Sequence, residues 1–270
     1  MNHIMYCKNH IREEFYMNIP LNKSIKKNIS LDILNKINTD NLGVSIITCT
    51  NKFQYMSNIF NNYENQKRPK KELIIILNNN NLNINYWKNK AKSFNNVNIY
   101  QLDEKATLGE CLNFAVKKAK FNIIAKFDDD DYYGINYLSH SLKAFEYTDA
   151  AILGKYTTFV YFENIQTLAI KNPNRDQCYT YRVEGSTLII KKNVFEKVKF
   201  KKLNLGEDAQ FCKDCIKENF NIFSTDIFNF VYIRHKNASN HTWSIDNDYL
   251  LKSCKVIGKI ENFKAIVDKY

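Results

Sequence analysis

Only 3 Pro and 7 Gly occur in 270 residues. No Pro- or Gly-rich linker therefore divides the chain, and the length fits one large domain or one domain with a small appendage. Cysteine is present without a framework. Seven is an odd number, and the C-x-x-C pair Cys212 and Cys215 sits in an apolar pattern of helical period with no second pair at metal spacing. The pair reads as buried core thiols, which points to a reducing compartment. No stretch approaches the ~18 consecutive apolar residues of a membrane span, and the N-terminus carries no apolar signal region. A cytoplasmic protein is expected, with peripheral contact to an anionic membrane left open by its charge.

What is there is globular: hydrophobic residues make up 44% of the chain, enough at this length to bury a sizeable core. The net charge of +11 allows a nucleic-acid partner, an anionic membrane surface, a nucleotide diphosphate, or simply a solvated basic surface. The lysines are spread, with small clusters at Lys67 to Lys71 and Lys197 to Lys202, so charge alone does not choose among these.

Residues 1–42 are polar, rich in Lys and Asn, and weakly periodic, an N-terminal extension partly helical around Leu31 to Ile37. Organisation begins at Val44-Ser45-Ile46-Ile47-Thr48-Cys49, a short β-branched run of the kind that forms a buried strand. Met56, Ile59, Phe60 and Tyr63 then repeat at helical spacing, followed by a second apolar run, Leu73 to Leu77, and a third strand at Val97 to Leu102. Leu108, Cys111, Leu112, Ala115, Val116 and Ala119 form a helical stripe. A fourth strand, Asn122 to Phe127, runs directly into Asp128-Asp129-Asp130-Asp131. Strand and helix alternate from 43 to about 145, so an α/β fold with a mostly parallel central sheet and helices on both faces is expected. Ligands of such sheets bind beyond the carboxyl ends of the strands. Here those ends carry Thr48 to Asn51, Asn78 to Asn80 and the four Asp. The second half is more mixed, with strands expected at Ser186 to Ile190 and Ile227 to Ile233 and a helix from Asp208 to about Asn219.

Four adjacent carboxylates repel one another, and a strand end does not need them. A hard divalent cation, Mn²⁺ or Mg²⁺, removes that cost by taking oxygen ligands, with one or two carboxylates plus substrate phosphates as the usual set. A solvated acidic loop or a helix N-terminus is the plainer reading of the run.

The order Val44 to Asn51, then Glu72 to Leu77, then Lys126-Phe127-Asp128-Asp129-Asp130-Asp131-Tyr132-Tyr133 resembles the family 2 glycosyltransferases of the GT-A fold. The likeness continues through Glu184-Gly185-Ser186-Thr187 and Gly206-Glu207-Asp208, covering about residues 43–245 and leaving 246–270 as a C-terminal helical segment. The resemblance implies a GT-A Rossmann-like sandwich and an inverting, metal-dependent transfer from a nucleotide sugar, UDP-linked in first expectation. The acceptor hydroxyl would belong to a glycan, a lipid-linked glycan or a peptide. It also implies Thr48 and Asn51 at the nucleotide pocket. Asn78 stands where the family usually has a base-binding Asp, a departure that makes the base less certain, since Asn can both donate and accept. Asp128 and Asp129 would touch the donor, Asp130 the metal. Asp208 is the base expected to take the acceptor proton, although acidic residues are common in the first turn of a helix, and Glu207 lies beside it. In the late segment Arg234 to Trp243, His235 or His241 could complete the metal shell, while Arg234, Lys236 and Trp243 could face phosphate or acceptor. A basic surface loop with Trp243 packed on the core is the alternative.

Two competing functions are weaker. A sugar-nucleotide nucleotidyltransferase normally needs a Gly-rich phosphate loop, and Thr50-Asn51-Lys52 has no Gly. A non-catalytic glycan or nucleic-acid binding module could use the charge and the 17 Tyr and 18 Phe. Those aromatics fall mostly in apolar patterns, and the acidic run would repel a phosphate backbone, so nucleic acid is not the expected partner.

Overall fold

The computed structural model describes residues 38–236 and 245–269. The expected helix near Leu31, together with His241 and Trp243, lies outside them. The first half alternates as β1 (Val44–Thr50), α1 (Met56–Asn65), β2 (Lys71–Leu77), α2 (Ile84–Ala91), β3 (Val97–Gln101), α3 (Leu108–Lys118) and β4 (Ile123–Lys126). β1 lies between β2 and β4, and all four strands are parallel. Side chains of a strand alternate between faces. Ile46, Ile75 and Ala125 accordingly join Ile59, Phe60, Tyr63 and Trp87 on one face. Ile47, Ile74, Ile76 and Ile124 join Cys111, Leu112 and Ala115 on the other. With both faces covered, the strands read as continuous apolar runs. Each fully buried Ile or Leu contributes roughly 1.5–3 kcal/mol relative to exposure. α3 starts at a capping box in which Thr107 and Glu110 each satisfy the other's backbone N–H.

The chain continues through β5 (Tyr132–Tyr133), α4 (Tyr137–Leu142), β6 (Ile152–Gly154), β7 (Thr158–Phe162), β8 (Thr167–Lys171), β9 (Cys178–Thr180), β10 (Ile189–Lys191), α5 (Glu207–Lys217), β11 (Ile222–Ser224), β12 (Phe230–Arg234), α6 (Asn247–Lys252), β13 (Lys255–Lys259) and α7 (Lys264–Val267). β10, β6, β11 and β9 extend the first sheet beyond β4, with β10 antiparallel to β4. A second sheet of five strands has the order β13-β8-β7-β12-β5. The chain thus passes from the first sheet to the second through the four Asp, between β4 and β5.

Three elements differ from expectation. The strand expected from Ser186 starts at Ile189, because Gly185 to Thr187 form a tight turn in which the Thr187 hydroxyl and N–H both donate to the Glu184 carbonyl. The strand expected from Ile227 starts at Phe230. Asp226 first accepts from Phe228 N at 3.0 Å, and Asn229 adopts φ 63°, a turn geometry that delays pairing. Residues 246–269, expected as helical, contain strand β13 between their two short helices, antiparallel to β8.

Cys212 and Cys215 are buried in the α5 stripe as expected, and all six described cysteines are free. Arg68, from the first basic cluster, is buried and donates to the Thr39 and Leu42 carbonyls. Among the described residues no helix is long and apolar enough to cross a membrane.

Candidate active site

The carboxyl ends of β2, β1 and β4 lie side by side, so Asn78, Asn51 and the Asp run share one edge of the sheet, with Thr48 and Thr50 buried beneath it. Hydrogen bonds hold the run in shape. Asn58 Nδ2 donates to the carbonyls of Asp129 at 2.8 Å and Asp131 at 2.9 Å, and Asn62 Nδ2 also donates to Asp131 O. Tyr133 stacks on Phe127, accepts from Asp128 N at 2.8 Å and donates to the Ser186 carbonyl at 2.7 Å.

The four carboxylates have different surroundings. Asp128 is paired with Lys126. Asp129 Oδ2 accepts from Thr50 Oγ1 at 2.5 Å. Burial, then repulsion from Asp130, still raises its carboxyl to about 7. Burial and the neighbouring Asp128 raise Asp130 to about 6. Asp131 is 1% exposed. One of its oxygens accepts from Ile233 N at 3.0 Å, the other has no partner among the described residues, and burial followed by repulsion from Asp130 pushes its carboxyl well up.

The second sheet supplies the opposite wall. β7 and β12 are parallel neighbours, so the residues just past their ends, Glu163 and His235, meet. His235 Nδ1 lies 3.0 Å from Glu163 Oε2, and Nε2 lies 3.3 Å from the Asp130 carbonyl. The His235 ring also stacks on Tyr55, over which Lys52 sits. Lys236 is exposed, and its N–H donates to Glu163. Arg234, expected on the phosphate side, is instead fully buried. Its guanidinium donates to Asn247 Oδ1, Tyr232 OH and the Ile245 carbonyl, so it anchors the start of the C-terminal segment. It reads as the last residue of a strand, not as part of a surface loop.

A third wall comes from the start of α5. Gly206 adopts φ 78°, a left-handed conformation suited to glycine, and delivers Glu207 and Asp208 into the first turn. Gly185 packs so tightly on Asp208 that a Cβ there would lie 2.3 Å from Oδ2. Between this wall and the Asp run stands Lys126, 4% exposed. Burial opposes its charge, but Asp128, Glu207 and Asp208 outweigh burial and hold the ammonium above its usual range. Glu207 is buried, and burial raises its carboxyl despite Lys126.

Of the nucleotide-side residues, Thr48 is buried with its hydroxyl unpartnered. Asn51 is exposed, and its carbonyl accepts from Asn79. Asn78 Nδ2 donates to the Asp103 carbonyl, and Oδ1 has no partner among the described residues. Sequence reasoning missed Glu163, Lys126, Asn58, Asn62 and Tyr133. Of these only Lys126, a charge inside an apolar strand, gave a local signal. A surface hollow of about 760 Å³ between Leu42, Asn122, Lys191 and Phe195 lies at the other end of β4 and contains none of these groups.

Among the described residues no three His, Cys, Asp or Glu side chains gather about a common point. A hard cation held mainly by substrate phosphates and water needs only one or two protein ligands. The Asp130 carboxylate could be one of them: His235 meets only the backbone carbonyl of that residue, and the next residue, Asp131, carries a buried carboxylate oxygen without a hydrogen-bond partner among the described residues.

The fold has known counterparts. The solved structure of S. aureus TarS 1-349 with UDP-GlcNAc matches with a TM-score of 0.57 at 17% identity, over 73% of this chain and 60% of that one. A mannosyltransferase from Pyrobaculum calidifontis, in complex with GDP-Man and Mn²⁺, matches with a TM-score of 0.54 at 15% identity, over 72% and 56%. GalNAc-T7 with UDP, GalNAc and Mn²⁺ matches with a TM-score of 0.59 at 10% identity, over 72% and 44%. The chain therefore spans less than two thirds of each of these proteins. A search of curated protein sequences gives no match. The profile of Glycosyl transferase family 2 matches residues 45–200. With the Asp run at the end of β4 and the GT-A arrangement around it, the chain belongs to glycosyl transferase family 2.

Proposed function

We propose that the protein is an inverting glycosyltransferase, moving a sugar from a nucleotide sugar, UDP-linked in the first instance, to an acceptor hydroxyl with help from Mn²⁺ or Mg²⁺. The observation that carries this reading is the linkage of two carboxylate groups at the end of β4: Gly185 abuts Asp208, and the adjoining Ser186 carbonyl accepts from Tyr133, which holds the Asp128 N–H. One group suits the donor and the other the acceptor.

On the donor side, the Oδ1 of Asn78 would accept from a base N–H, and Asp128 and Asp129 would receive ribose hydroxyls. Asp130, with Nε2 of His235, would hold the cation. A bound divalent cation supplies Lewis-acid stabilisation to the departing diphosphate. Glu163 accepting from Nδ1 would fix the tautomer for that role, and binding a cation through Nε2 would replace the hydrogen bond that Nε2 donates to the Asp130 carbonyl.

On the acceptor side, Asp208 takes the hydroxyl proton as the new carbon–oxygen bond forms. The bond to the diphosphate breaks on the opposite face of the sugar, so the anomeric configuration inverts. Gly185 fixes the Asp208 carboxylate by close packing. No covalent nucleophile is needed. The free thiols support a reducing, cytoplasmic setting. The aromatic rings pack mainly in the cores, which argues against a nucleic-acid partner.

A donor panel tests the reading. Purified protein with Mn²⁺ should slowly hydrolyse at least one UDP- or GDP-sugar, releasing the nucleoside diphosphate. Neither release nor thermal stabilisation across the panel would end it.

A further inference from the structure

We propose that the acceptor is anionic, with a phosphate or carboxylate group seated between Arg175 and Arg182 beside Asp208; this rests on the glycosyltransferase reading and narrows its acceptor class. The two arginines flank the short edge strand β9 and close on one ring. Their guanidinium carbons lie 5.4 and 5.7 Å from the centroid of Tyr156. Tyr156 is itself fixed: it is 8% exposed, its N–H donates to Ser224 Oγ at 3.0 Å, and its hydroxyl lies 2.9 Å from that of Tyr181. A buried tyrosine thus holds two cations in place before any ligand arrives.

Neither guanidinium is satisfied within the described residues. Arg182 approaches Glu184 Oε1 at 3.8 Å, but that carboxylate already accepts from Lys171 at 2.9 Å and Asn172 at 3.2 Å. Arg182 Nε is buried without a hydrogen-bond partner, although 40% of the side chain remains exposed. The Arg175 backbone N–H donates to Thr157, while its guanidinium makes no ion pair or hydrogen bond there. Asp176, next along the chain, acts on Lys155. The buried, unpartnered Nε of Arg182 carries a desolvation cost that an oxyanion accepting from it would remove, and arginine grips carboxylate and phosphate alike in bidentate fashion.

Position ties this pair to the acceptor. Gly185, three residues after Arg182, abuts the Asp208 carboxylate, and the Asp208 charge acts on Arg182. On the side of the Asp run stands a different cation: Lys52, beside Tyr55, acts on Asp129 and Asp130. Arg182 near Asp208, with Arg175 joined to it through the Tyr156 ring, suits a charge on the substrate that brings the hydroxyl.

The test uses the full chain with Mn²⁺ and excess UDP, so that the donor site is filled. Glucose 6-phosphate, glucuronate and glucose are then titrated separately by calorimetry at low salt. At least one anion should bind about 10-fold tighter than glucose, as charge-assisted hydrogen bonds imply. Which anion wins separates phosphate from carboxylate. The Arg175→Gln/Arg182→Gln variant should lose the preference. If that variant melts early, Arg175→Gln alone, which breaks no ion pair, should weaken it about 3-fold or more. Equal affinity for all three sugars, or a preference that survives in the variants, overturns the proposal. UDP binding is measured in the same experiment. If UDP fails to bind while the anion preference stands, the UDP-donor reading falls by itself; if UDP binds and the anions match glucose, the acceptor proposal falls by itself.

Discussion

His235 presents one ring nitrogen to Glu163, 72 residues away in sequence, at 3.0 Å and the other to the Asp130 carbonyl at 3.3 Å, so both partners orient the imidazole at the Asp run. A carboxylate behind a metal-binding histidine fixes its tautomer and raises its basicity. Glu163→Gln should therefore weaken Mn²⁺ binding in the presence of UDP by roughly 10–100-fold. Calorimetry reads this without any turnover, and an unchanged affinity would leave Glu163 a surface partner only.

The donor and acceptor carboxylates should separate by kind of defect. Asp130→Ala is expected to abolish Mn²⁺-dependent stabilisation by a nucleoside diphosphate in a melting assay. Asp208→Asn should keep that stabilisation and lower turnover by about 10²–10⁴-fold, the usual range for a general base. Equal loss of both would make Asp208 structural.

Packing at Gly185 gives an independent handle on the base. In Gly185→Ala the new Cβ would lie 2.3 Å from Asp208 Oδ2, so the carboxylate must move. Turnover should fall while donor affinity, measured by nucleotide titration, stays near wild type.

The raised carboxyls make stability depend on pH in a stated direction. Asp129 at about 7 and Asp130 at about 6 lie above the ordinary value of about 3.9. The folded state thus binds more protons between those limits, and stability falls as pH rises through them. Metal-free protein should show a higher urea midpoint at pH 5 than at pH 8. Added Mn²⁺ should flatten the difference by favouring the ionised forms.

Tyr133 joins the Asp128 N–H to the Ser186 carbonyl. Removing its hydroxyl in Tyr133→Phe leaves two buried groups unpaired, at a cost of about 1–3 kcal/mol each. Chemical unfolding should register that loss, accompanied by weaker nucleotide binding.

The parts legible in the sequence are those with local signals. β1, β2 and β4 are apolar runs, α1 and α3 carry helical stripes, and the Asp run stands out because like charges cluster. Of the second sheet only β12 gives such a signal, in the run Ile227 to Ile233. β5 is two residues long, and β9, at the edge of the first sheet, three, too short for periodicity to register. Glu163 ends β7 in unremarkable surroundings, and its meeting with His235 depends on the pairing of β7 with β12, which no local pattern encodes. Arg234 resists a sequence reading for the same reason. The residues that follow it are polar, whereas its guanidinium meets Tyr232, Asn247 and Ile245 in space.

The passage of the chain from one sheet to the other through Asp128 to Asp131 makes these carboxylates a mechanical joint. The pairing of β5 with β12, Tyr133 to Phe230 and Tyr132 to Val231, sets the angle at which the run leaves β4. Any change that shifts this two-residue ladder is transmitted to those carboxylates. Phe230 is also a core residue packed on Tyr133, so substitutions there will register as altered nucleotide affinity and loss of stability together.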